Sequence, residues 1–373
     1  MISVGNALSN IDWDFPHSER KDSIHNIHPY PAKFIPEIPR MLINTIGLPQ
    51  GTCVLDPFCG SGATLVESQL AGFSAIGIDL NPIACLISRV KSQPLSEDFI
   101  PQIKTVITKA KACQGIVAVP PIPNLDHWFM KELQWAIASL VLQIEDVPDQ
   151  NTKEALNLAL SSILVRVSNQ ESDTRYAAIE KKLTADTVFS LFQAASERIW
   201  EAKAECDPPR WDVEVMNKDI LNVQPSDIRL PVGLVITSPP YPNAYEYWLY
   251  HKYRMYWLGY DPLAVKEHEI GARAHYFKKR HPTEDDFRQQ MTHLVRLLYQ
   301  VVVFSGHICV VIGRSKVHGQ IIDNASIVAD VGQENGFRLL ARLPRTIAPS
   351  RKTFNLTHAN IKTEEILVFE KPL

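Results

Sequence analysis

The pattern of hydrophobic and polar positions divides the chain into two alternating regions with a helical region between them. After residue 51 the chain runs through an apolar strand at 53–55, a glycine-bearing turn, a helical stretch at 63–70 and a second apolar strand at 74–79. This order is a βαβ unit, which places parallel strands in one sheet with a right-handed crossover. We therefore expect an α/β fold with a doubly wound, mostly parallel, Rossmann-like sheet.

Residues 91–205 follow a different pattern. Long helical periods, such as 153–167 and 175–204, dominate this region, and little of it resembles a strand. We interpret it as a helical insertion into the sheet domain.

A polar string at 168–176 separates these two helical periods. It is predicted to be a helix-to-helix loop in which Asp173 or Thr174 caps the second helix. A competing interpretation brings Asn169 or Arg175 to a functional site.

The alternating pattern returns after residue 205 with five predicted strands and two predicted helices. The strands are expected at 212–215, 233–237, 307–313, 337–343 and 365–370, and the helices at 287–303 and 324–335. The predicted organisation is an N-terminal arm (1–50), the first part of the sheet domain (51–90), the helical insertion (91–205) and the second part of the sheet domain (206–373).

Composition limits the class of protein. The chain has 373 residues, 45% of them hydrophobic and 21% charged, with a formal net charge of −3, as in ordinary globular proteins. No segment approaches the ~20 apolar residues of a membrane helix, and the N-terminus lacks a secretion signal. We expect a cytoplasmic protein. Its six cysteines are scattered without metal-ligand spacing, so we expect no metal site.

Two local basic clusters stand out against the slightly acidic average. The first, at 273–281, interleaves cations with aromatic residues, and the second runs from 338 to 352 without an acidic residue. Such clusters suit phosphate contacts, although a solvated loop explains the first equally well. The candidate contacts are Arg273, Lys278, Lys279, Arg280, Arg351 and Lys352.

The turn at 56–62 is the first candidate binding site. It reads Asp-Pro-Phe-Cys-Gly-Ser-Gly and follows a buried strand, and in parallel sheets ligands bind beyond the carboxyl ends of strands. Asp79 closes the next strand, where a carboxylate can accept hydrogen bonds from ribose hydroxyls. The turn lacks the Gly-x-Gly-x-x-Gly of dinucleotide binders. A tight turn and a helix cap are the structural alternatives for these residues.

The second candidate site, at 237–241, reads Thr-Ser-Pro-Pro-Tyr and also follows a buried strand. Two prolines hold an extended backbone without amide donors, which leaves carbonyl oxygens as acceptors for a flat amine. Tyr241 can stack on the ring of that amine, and stacking contributes roughly 1–3 kcal/mol per base. A base in a duplex must be flipped out to reach such a pocket. The tyrosine-rich stretch that follows is predicted to be mainly a buried amphipathic helix, with Asn243 and Tyr245 near the pocket.

Three motifs in order resemble those of DNA amino-methyltransferases that use S-adenosylmethionine. Residues 56–62 resemble the first motif of this family. The Ser-Pro-Pro-Tyr of 238–241 is similar to the catalytic motif favoured by N4-cytosine enzymes. Residues 28–34, which read His-Pro-Tyr-Pro-Ala-Lys-Phe, resemble the N-terminal cofactor motif.

The resemblance implies a site for S-adenosylmethionine and a site for the target base. In the first, Asp79 would hold the ribose, Asp219 would face the adenine amino group and Phe58 would line the pocket. The implied cofactor-binding residues are His28, Pro31, Lys33, Phe34, Asp56, Phe58, Gly60, Ser61, Gly62, Asp79, Asn81 and Asp219. The implied catalytic residues are Ser238, Pro239, Pro240 and Tyr241. In space, Gly60 and Pro239 should flank one cavity.

The implied reaction is transfer of a methyl group to the N4 amine of a flipped cytosine in double-stranded DNA, without a cysteine nucleophile. The insertion at 91–205 is a candidate target-recognition region, although its position before Asp219 departs from the family pattern. A cognate restriction endonuclease is a candidate partner. Adenine-N6 methylation, guanine amino-methylation of RNA and a catalytically inactive DNA-binding subunit are the alternatives.

Overall fold

The computed structural model describes residues 4–16, 23–206, 211–243, 245–276, 282–347 and 363–373. Eleven strands lie within these residues. They are β1 (Cys53–Asp56), β2 (Ala75–Asp79), β3 (Gln170–Ser172), β4 (Arg175–Ala178), β5 (Val213–Asn217), β6 (Val232–Thr237), β7 (Val302–Gly313), β8 (Ser315–Val317), β9 (Gln320–Ile322), β10 (Arg338–Thr346) and β11 (Thr363–Glu370).

Seven of these strands form the central sheet, in the order β10-β11-β7-β6-β1-β2-β5. Neighbouring strands from β7 to β5 run parallel, and β11 alone is antiparallel to both of its neighbours. The mostly parallel, Rossmann-like sheet predicted from the sequence is therefore confirmed. The chain leaves β1 for β2 on one side, whereas β6 lies on the other, so the strand order reverses at β1 and β6. Ligands of such sheets bind at this point.

Fifteen α-helices are described. They are α1 (Val4–Ser9), α2 (Glu37–Ile46), α3 (Ala63–Leu70), α4 (Pro82–Ser92), α5 (Phe99–Lys111), α6 (Leu125–Trp128), α7 (Lys131–Glu145), α8 (Gln150–Ile163), α9 (Ala185–Glu205), α10 (Tyr247–Tyr250), α11 (Lys252–Trp257), α12 (Pro262–His268), α13 (Arg273–Tyr276), α14 (Glu284–Val301) and α15 (Asn324–Glu334). Short 3₁₀ turns occur at Ser23–Asn26, Ile220–Asn222 and Pro225–Asp227.

Alternate residues of the strands feed two cores on opposite faces of the sheet, as strand geometry requires. In β1, Leu55 packs with Phe287 of α14 and Val331 of α15 on one face. Val54 packs with Leu42 of α2 and Leu65 of α3 on the other face. The sheet is thus covered by helices on both sides and presents its strand ends to ligands.

Helices α5 to α9 of the insertion form a third core with α4 and with aromatic residues of α10 and α11. Two details of the prediction for this region are wrong. Residues 170–178 form the hairpin β3–β4 rather than a helix-to-helix loop. Helix α9 begins at Ala185, not near residue 175, because the amide of Thr184 donates to Thr187 Oγ1 (3.3 Å) and starts the helix there.

The described ranges contain neither a membrane-spanning helix nor a cluster of metal-ligating side chains. No helix there is long and apolar enough to cross a membrane. No group of three or more His, Cys, Asp or Glu side chains is arranged there to hold a metal ion.

Candidate active site

One cavity lies at the carboxyl ends of β1, β2 and β6, where the strand order reverses. Gly60 and Pro239 both line it, so the predicted meeting of the two sequence strings is confirmed. Its lining contains all four predicted catalytic residues and eight of the predicted cofactor-binding residues, which are Phe34, Asp56, Phe58, Gly60, Ser61, Asp79, Asn81 and Asp219.

A buried hydrogen bond joins the two strings directly. Oδ1 of Asp56, at the end of β1, accepts from Oγ1 of Thr237, at the end of β6 (2.7 Å). The same oxygen accepts from the amide of Phe58 (3.1 Å). Burial raises the pKa of Asp56 to about 6. Asp56 therefore fixes the turn after β1 against the turn after β6.

The two glycines of the turn have different surroundings. Both have positive φ, 49° at Gly60 and 77° at Gly62, a region that favours glycine. A Cβ on Gly62 would lie 2.8 Å from Oγ of Ser88 in α4. Gly62 does not line the cavity, and its role is the close packing of α3 on α4. Gly60 lines the cavity, beside the ring of Tyr30.

Asp79 connects the first turn to the start of α4. Its Oδ2 accepts from the amide of Gly60 (2.9 Å), and its Oδ1 accepts from the amide of Asn81 (2.8 Å). Burial raises the pKa of Asp79 to about 6, against the opposing effect of these hydrogen bonds. Each carboxylate oxygen has a second lone pair, so Asp79 can also accept hydrogen bonds from a ligand.

Asn81 lines the cavity and carries a buried amide nitrogen without a partner among the described residues. Its Oδ1 accepts from the amide of Ile83 (2.9 Å) and caps α4. Its Nδ2 is buried and has no hydrogen-bond partner in the described structure. A buried amide without a partner is costly, so a ligand acceptor at this position would stabilise it.

Asp219 and Ser61 also line the cavity from the predicted cofactor set. Asp219 caps a 3₁₀ turn, where its Oδ1 accepts from the amide of Leu221 (3.0 Å). The carbonyl oxygen of Ser61 accepts from Nζ of the buried Lys91 (2.6 Å). Asp219 is therefore held by the backbone of its own turn, and Ser61 by the side chain of Lys91 in α4.

The N-terminal motif is only partly at the cavity. Phe34 lines it, but His28, Pro31 and Lys33 do not. For these three, the expected contact with a cofactor stays a prediction, and other groups surround them in the structure. His28 is buried between the carbonyl of Pro29 (2.7 Å) and Oγ of Ser161 in the insertion (2.9 Å), and burial lowers its pKa.

Lys33 bonds to other backbone and side-chain groups near the N-terminus. Its Nζ donates to the carbonyl of His25 (3.0 Å) and to Oδ1 of Asn26 (3.4 Å). Pro31 is buried. Within this motif, Phe34 and Tyr30 line the cavity, and Tyr30 is not among the residues predicted to bind the cofactor.

The side of the cavity at the Ser-Pro-Pro-Tyr turn, termed the base side, is lined by tyrosines. Tyr241, Tyr245, Tyr247 and Tyr30 all border it. The ring of Tyr247 lies 5.8 Å from that of Tyr30 and 5.8 Å from that of Tyr245. Burial raises the pKa of Tyr241, so this phenol stays neutral. These rings offer flat surfaces on which a base can stack.

Two glutamates in the lining, the buried Glu269 and the half-buried Glu364, carried no sequence signal. Each oxygen of Glu269 accepts a backbone amide at the start of α10, from Tyr247 (2.7 Å) and Trp248 (2.8 Å), and burial raises its pKa to about 8. Glu364, at the start of β11, pairs with Arg345 (2.8 Å). Glutamates in ordinary polar surroundings cannot be distinguished by pattern from the rest of the 41 acidic residues.

The insertion is tied to this tyrosine-lined wall by a buried arginine. Arg254 of α11 forms an ion pair with Asp173 of the β3–β4 turn and donates to the carbonyl of Ser161 in α8 (3.1 Å). The phenol of Tyr176 donates to the carbonyl of Leu249. The predicted role of the insertion in target recognition stays a prediction, but its hairpin supports the wall.

One of the predicted DNA contacts can be located. Arg273 is exposed on α13, three residues after Ile270, which lines the cavity. Lys278, Lys279, Arg280, Arg351 and Lys352 lie outside the described residues.

Comparison with known proteins gives a family match and several relatives. Residues 5–89 match the model of a family described as DNA methylase. The chain is 26% identical over 286 residues to the type II methyltransferase M.BsoBI of Geobacillus stearothermophilus, covering 67% of this chain and 55% of that protein. It is 25% identical over 267 residues to the type II methyltransferase M.MvaI of Kocuria varians, covering 62% and 56%.

A shorter match is to a tRNA (guanine(10)-N2)-dimethyltransferase of Methanothermobacter thermautotrophicus, 38% identical over 52 residues, covering 14% of this chain and 16% of that protein. The chain thus spans about half the length of the type II methyltransferases it matches.

Proposed function

We propose that this chain, whose residues 5–89 match a family described as DNA methylase and which is similar to type II methyltransferases, transfers a methyl group from S-adenosylmethionine to the exocyclic N4 amine of cytosine in double-stranded DNA. The observation that carries this proposal is the shared cavity. The glycine turn after β1 and the Ser-Pro-Pro-Tyr turn after β6 line it together, and the hydrogen bond between Asp56 and Thr237 joins the two strand ends that carry these turns.

The residues around the first turn fit S-adenosylmethionine. Asp79 would accept from the ribose hydroxyls, Asp219 from the adenine amino group, and Phe58 would contact the adenine ring. The unpaired Nδ2 of Asn81 offers a donor in the same region. When bound, S-adenosylmethionine supplies an electrophilic methyl group.

The residues of the second turn fit the amine of a flipped base. Oγ of Ser238 and the carbonyl oxygen of Pro239 would accept its two hydrogens. This draws the nitrogen away from conjugation with the ring and makes its lone pair available for in-line attack. Tyr241 would stack on the base, and the tyrosine-lined wall would exclude water. The catalytic contribution is mainly positioning and desolvation.

Cytosine is favoured by the Ser-Pro-Pro-Tyr form of the second turn. Adenine-N6 transfer is the second candidate, since the acceptor geometry suits either amine. The short match to a guanine-N2 tRNA enzyme favours, as a third candidate, amino-methylation of RNA.

The test is to incubate the protein with deuterium-labelled S-adenosylmethionine and either mixed-sequence duplex DNA or tRNA, and to weigh the nucleosides after digestion. We expect labelled N4-methyldeoxycytidine from DNA. Labelled methyldeoxyadenosine alone would move the assignment to adenine, and label in tRNA alone would move it to RNA.

The Ser238→Ala variant tests the acceptor role in the same assay. We expect at least a tenfold loss of transfer, while Ser9→Ala, on the exposed end of α1, serves as the control. Cofactor binding without transfer, and with no effect of Ser238→Ala, would support a catalytically inactive DNA-binding subunit instead.

A further inference from the structure

The hairpin β8–β9 projects from the edge of the sheet at which the cavity opens. β8 begins two residues after β7 ends, so the hairpin continues from the carboxyl end of a central strand. Its base is fixed by the buried Asn324, whose Nδ2 donates to the carbonyl of Gly313 (2.8 Å) and whose Oδ1 lies 3.3 Å from Oγ of Ser315. The hairpin therefore has a defined position relative to the sheet.

A second contact ties the hairpin to the Ser-Pro-Pro-Tyr turn. Nδ2 of Asn243, two residues beyond Tyr241, donates to the carbonyl of Lys316 in β8 (2.7 Å). The amide of Asn243 donates to the carbonyl of Gly271 (3.1 Å), and Asn243 itself adopts a positive φ of 58°. The hairpin thus lies beside the segment that lines the base side of the cavity.

The outer face of the hairpin is cationic. Arg314, Lys316 and His318 alternate along the chain and are exposed, whereas the residues between them, Ser315 and Val317, are buried. Alternation along and beside β8 puts Arg314 and Lys316 on one face, and His318 follows in the hairpin turn with a φ of 47°. No acidic residue occurs between residues 313 and 323.

Strand β10, at the edge of the central sheet, gives a direct contrast. Its three arginines are all paired with β11, Arg338 with Glu370, Arg342 with Glu365 and Arg345 with Glu364. Arg314 and Lys316, by comparison, make no ion pair with any carboxylate that the structure describes. Their charge is left for an external partner.

An exposed apolar side chain lies next to these cations. Ile321 of β9 pairs with Lys316 across the hairpin, and 71% of its surface is accessible. Exposed isoleucine flanked by cations suits a partner that presents both anionic groups and apolar surface. The phosphates and sugars of a nucleic acid do so.

We propose that the β8–β9 hairpin contacts the DNA duplex beside the target base, with Arg314 and Lys316 binding backbone phosphates. This inference rests on the proposed function, because a base flipped into the cavity brings its flanking phosphates to the cavity rim. Duplex DNA carries one negative charge per roughly 1.7 Å of its axis, so a cationic face held at that rim meets phosphates on either side of the flipped base.

The test compares the wild type with the double variant Arg314→Gln/Lys316→Gln. Binding to a fluorescent duplex that the wild type methylates is measured by anisotropy at several salt concentrations. Loss of two phosphate contacts should weaken binding about tenfold at ~0.1 M salt and reduce the salt slope by roughly 2. The KM for DNA should rise by a similar factor, with kcat and S-adenosylmethionine affinity within about twofold of the wild type.

The matched control is Arg229→Gln/Arg296→Gln, which removes the same charge near the opposite edge of the sheet. Both arginines are exposed. Arg229 precedes β6, and Arg296 lies near the end of α14, which leads into β7. The control should bind DNA with the wild-type salt slope. Thermal melts establish that both variants are folded.

An unchanged salt slope in the hairpin variant overturns the inference, as does an equal loss in the control, which would indicate a general charge effect. If the wild type methylates only RNA, the proposed function fails, and contact with duplex DNA fails with it. That outcome is visible in the wild type alone, so it is distinct from a failure of the hairpin variant.

Discussion

The two walls of the cavity are held together in different ways. On the side of the glycine turn, termed the cofactor side, the hydrogen bonds join residues that are close in sequence. Asp79 accepts from the amide of Asn81, 2 residues away, and from the amide of Gly60, 19 residues away. On the base side the bonds join residues that are far apart in sequence. Arg254 of α11 bonds to Asp173 and Ser161, which are 81 and 93 residues away. The first wall is a local backbone structure, whereas the second depends on the insertion. A substitution that damages one wall should therefore leave ligand binding at the other wall largely intact.

The largest expected effect is on cofactor affinity, and it comes from a substitution on the cofactor side. Asp79→Ala removes the acceptor of the Gly60 amide and the proposed ribose contact. We expect S-adenosylmethionine affinity to fall about 100-fold, since hydrogen bonds to a charged group contribute roughly 1.5–3 kcal/mol each. Calorimetric titration measures this. Asp98→Ala, an exposed residue before α5 with no capping bond, is the control.

DNA binding by Asp79→Ala is the second measurement on that variant. It should stay within about threefold of the wild type, because the base-side wall has its own supports. A comparable loss of DNA affinity would contradict the independence of the two walls.

The next largest effect breaks the support of the base side. Asp173→Asn leaves the buried Arg254 without its ion-pair partner, and breaking a buried pair costs about 3 kcal/mol or more. A fall in Tm of about 4 °C is expected for a chain of 373 residues. Glu171→Gln is the matched control, because its partner Arg175 lies 2.9 Å away on the surface of the same hairpin, and exposed pairs contribute less than ~1 kcal/mol. Equal effects of the two variants would show that Arg254 does not need Asp173.

A smaller effect tests whether close backbone packing stabilises the cofactor side. Gly62 and Gly51 both have φ of 77°, but a Cβ meets Ser88 at Gly62 and nothing within 4 Å at Gly51. Gly51→Ala should cost about 1 kcal/mol for the left-handed backbone. Gly62→Ala should cost roughly 1–3 kcal/mol more, because it overpacks α3 against α4. Chemical denaturation measures both, and similar values would exclude the packing explanation.

The smallest effect is a pH dependence on the base side. The ordinary pKa of a glutamate is 4.5, and burial raises that of Glu269 to about 8. Between these values the folded protein binds the proton and the unfolded chain does not, so the wild type loses stability as pH rises through this window. Glu269→Gln does not titrate.

The difference in Tm between Glu269→Gln and the wild type should therefore shift in favour of the variant by at least ~2 °C from pH 5 to pH 8. Scanning calorimetry at the two pH values measures this shift, with Glu201→Gln on the exposed face of α9 as a surface control. A shift towards the wild type would mean that Glu269 is ionised in the folded protein.

The cofactor side was largely predictable from sequence because its signals are local. The first helix of the βαβ unit was expected at 63–70 and is observed at Ala63–Leu70, and the second strand was expected at 74–79 and is observed at Ala75–Asp79. Apolar strands, a glycine turn and the Asn81 cap determine these boundaries with neighbours only a few residues away.

The base side was predictable only at its turn. Ser238 to Tyr241 carry a motif, but the β3–β4 hairpin has no alternating apolar pattern and is held by Arg254 and Tyr176 through tertiary contacts. Glu269 and Glu364 reach the cavity through packing of distant segments. His28 shows the converse: its motif suggested a cofactor contact, whereas the fold gives it Ser161 as a partner.

The bond between Asp56 and Thr237 has a consequence for synthesis of the chain. It spans 181 residues, and β6, which carries Thr237, is also the strand that covers one edge of β1. While the ribosome is still translating the insertion, a nascent chain that has already paired β1 with β2 carries an open strand edge, the kind of surface on which other chains assemble. The length of the insertion thus sets the time between synthesis of β1 and synthesis of β6, during which this edge of β1 stays unpaired.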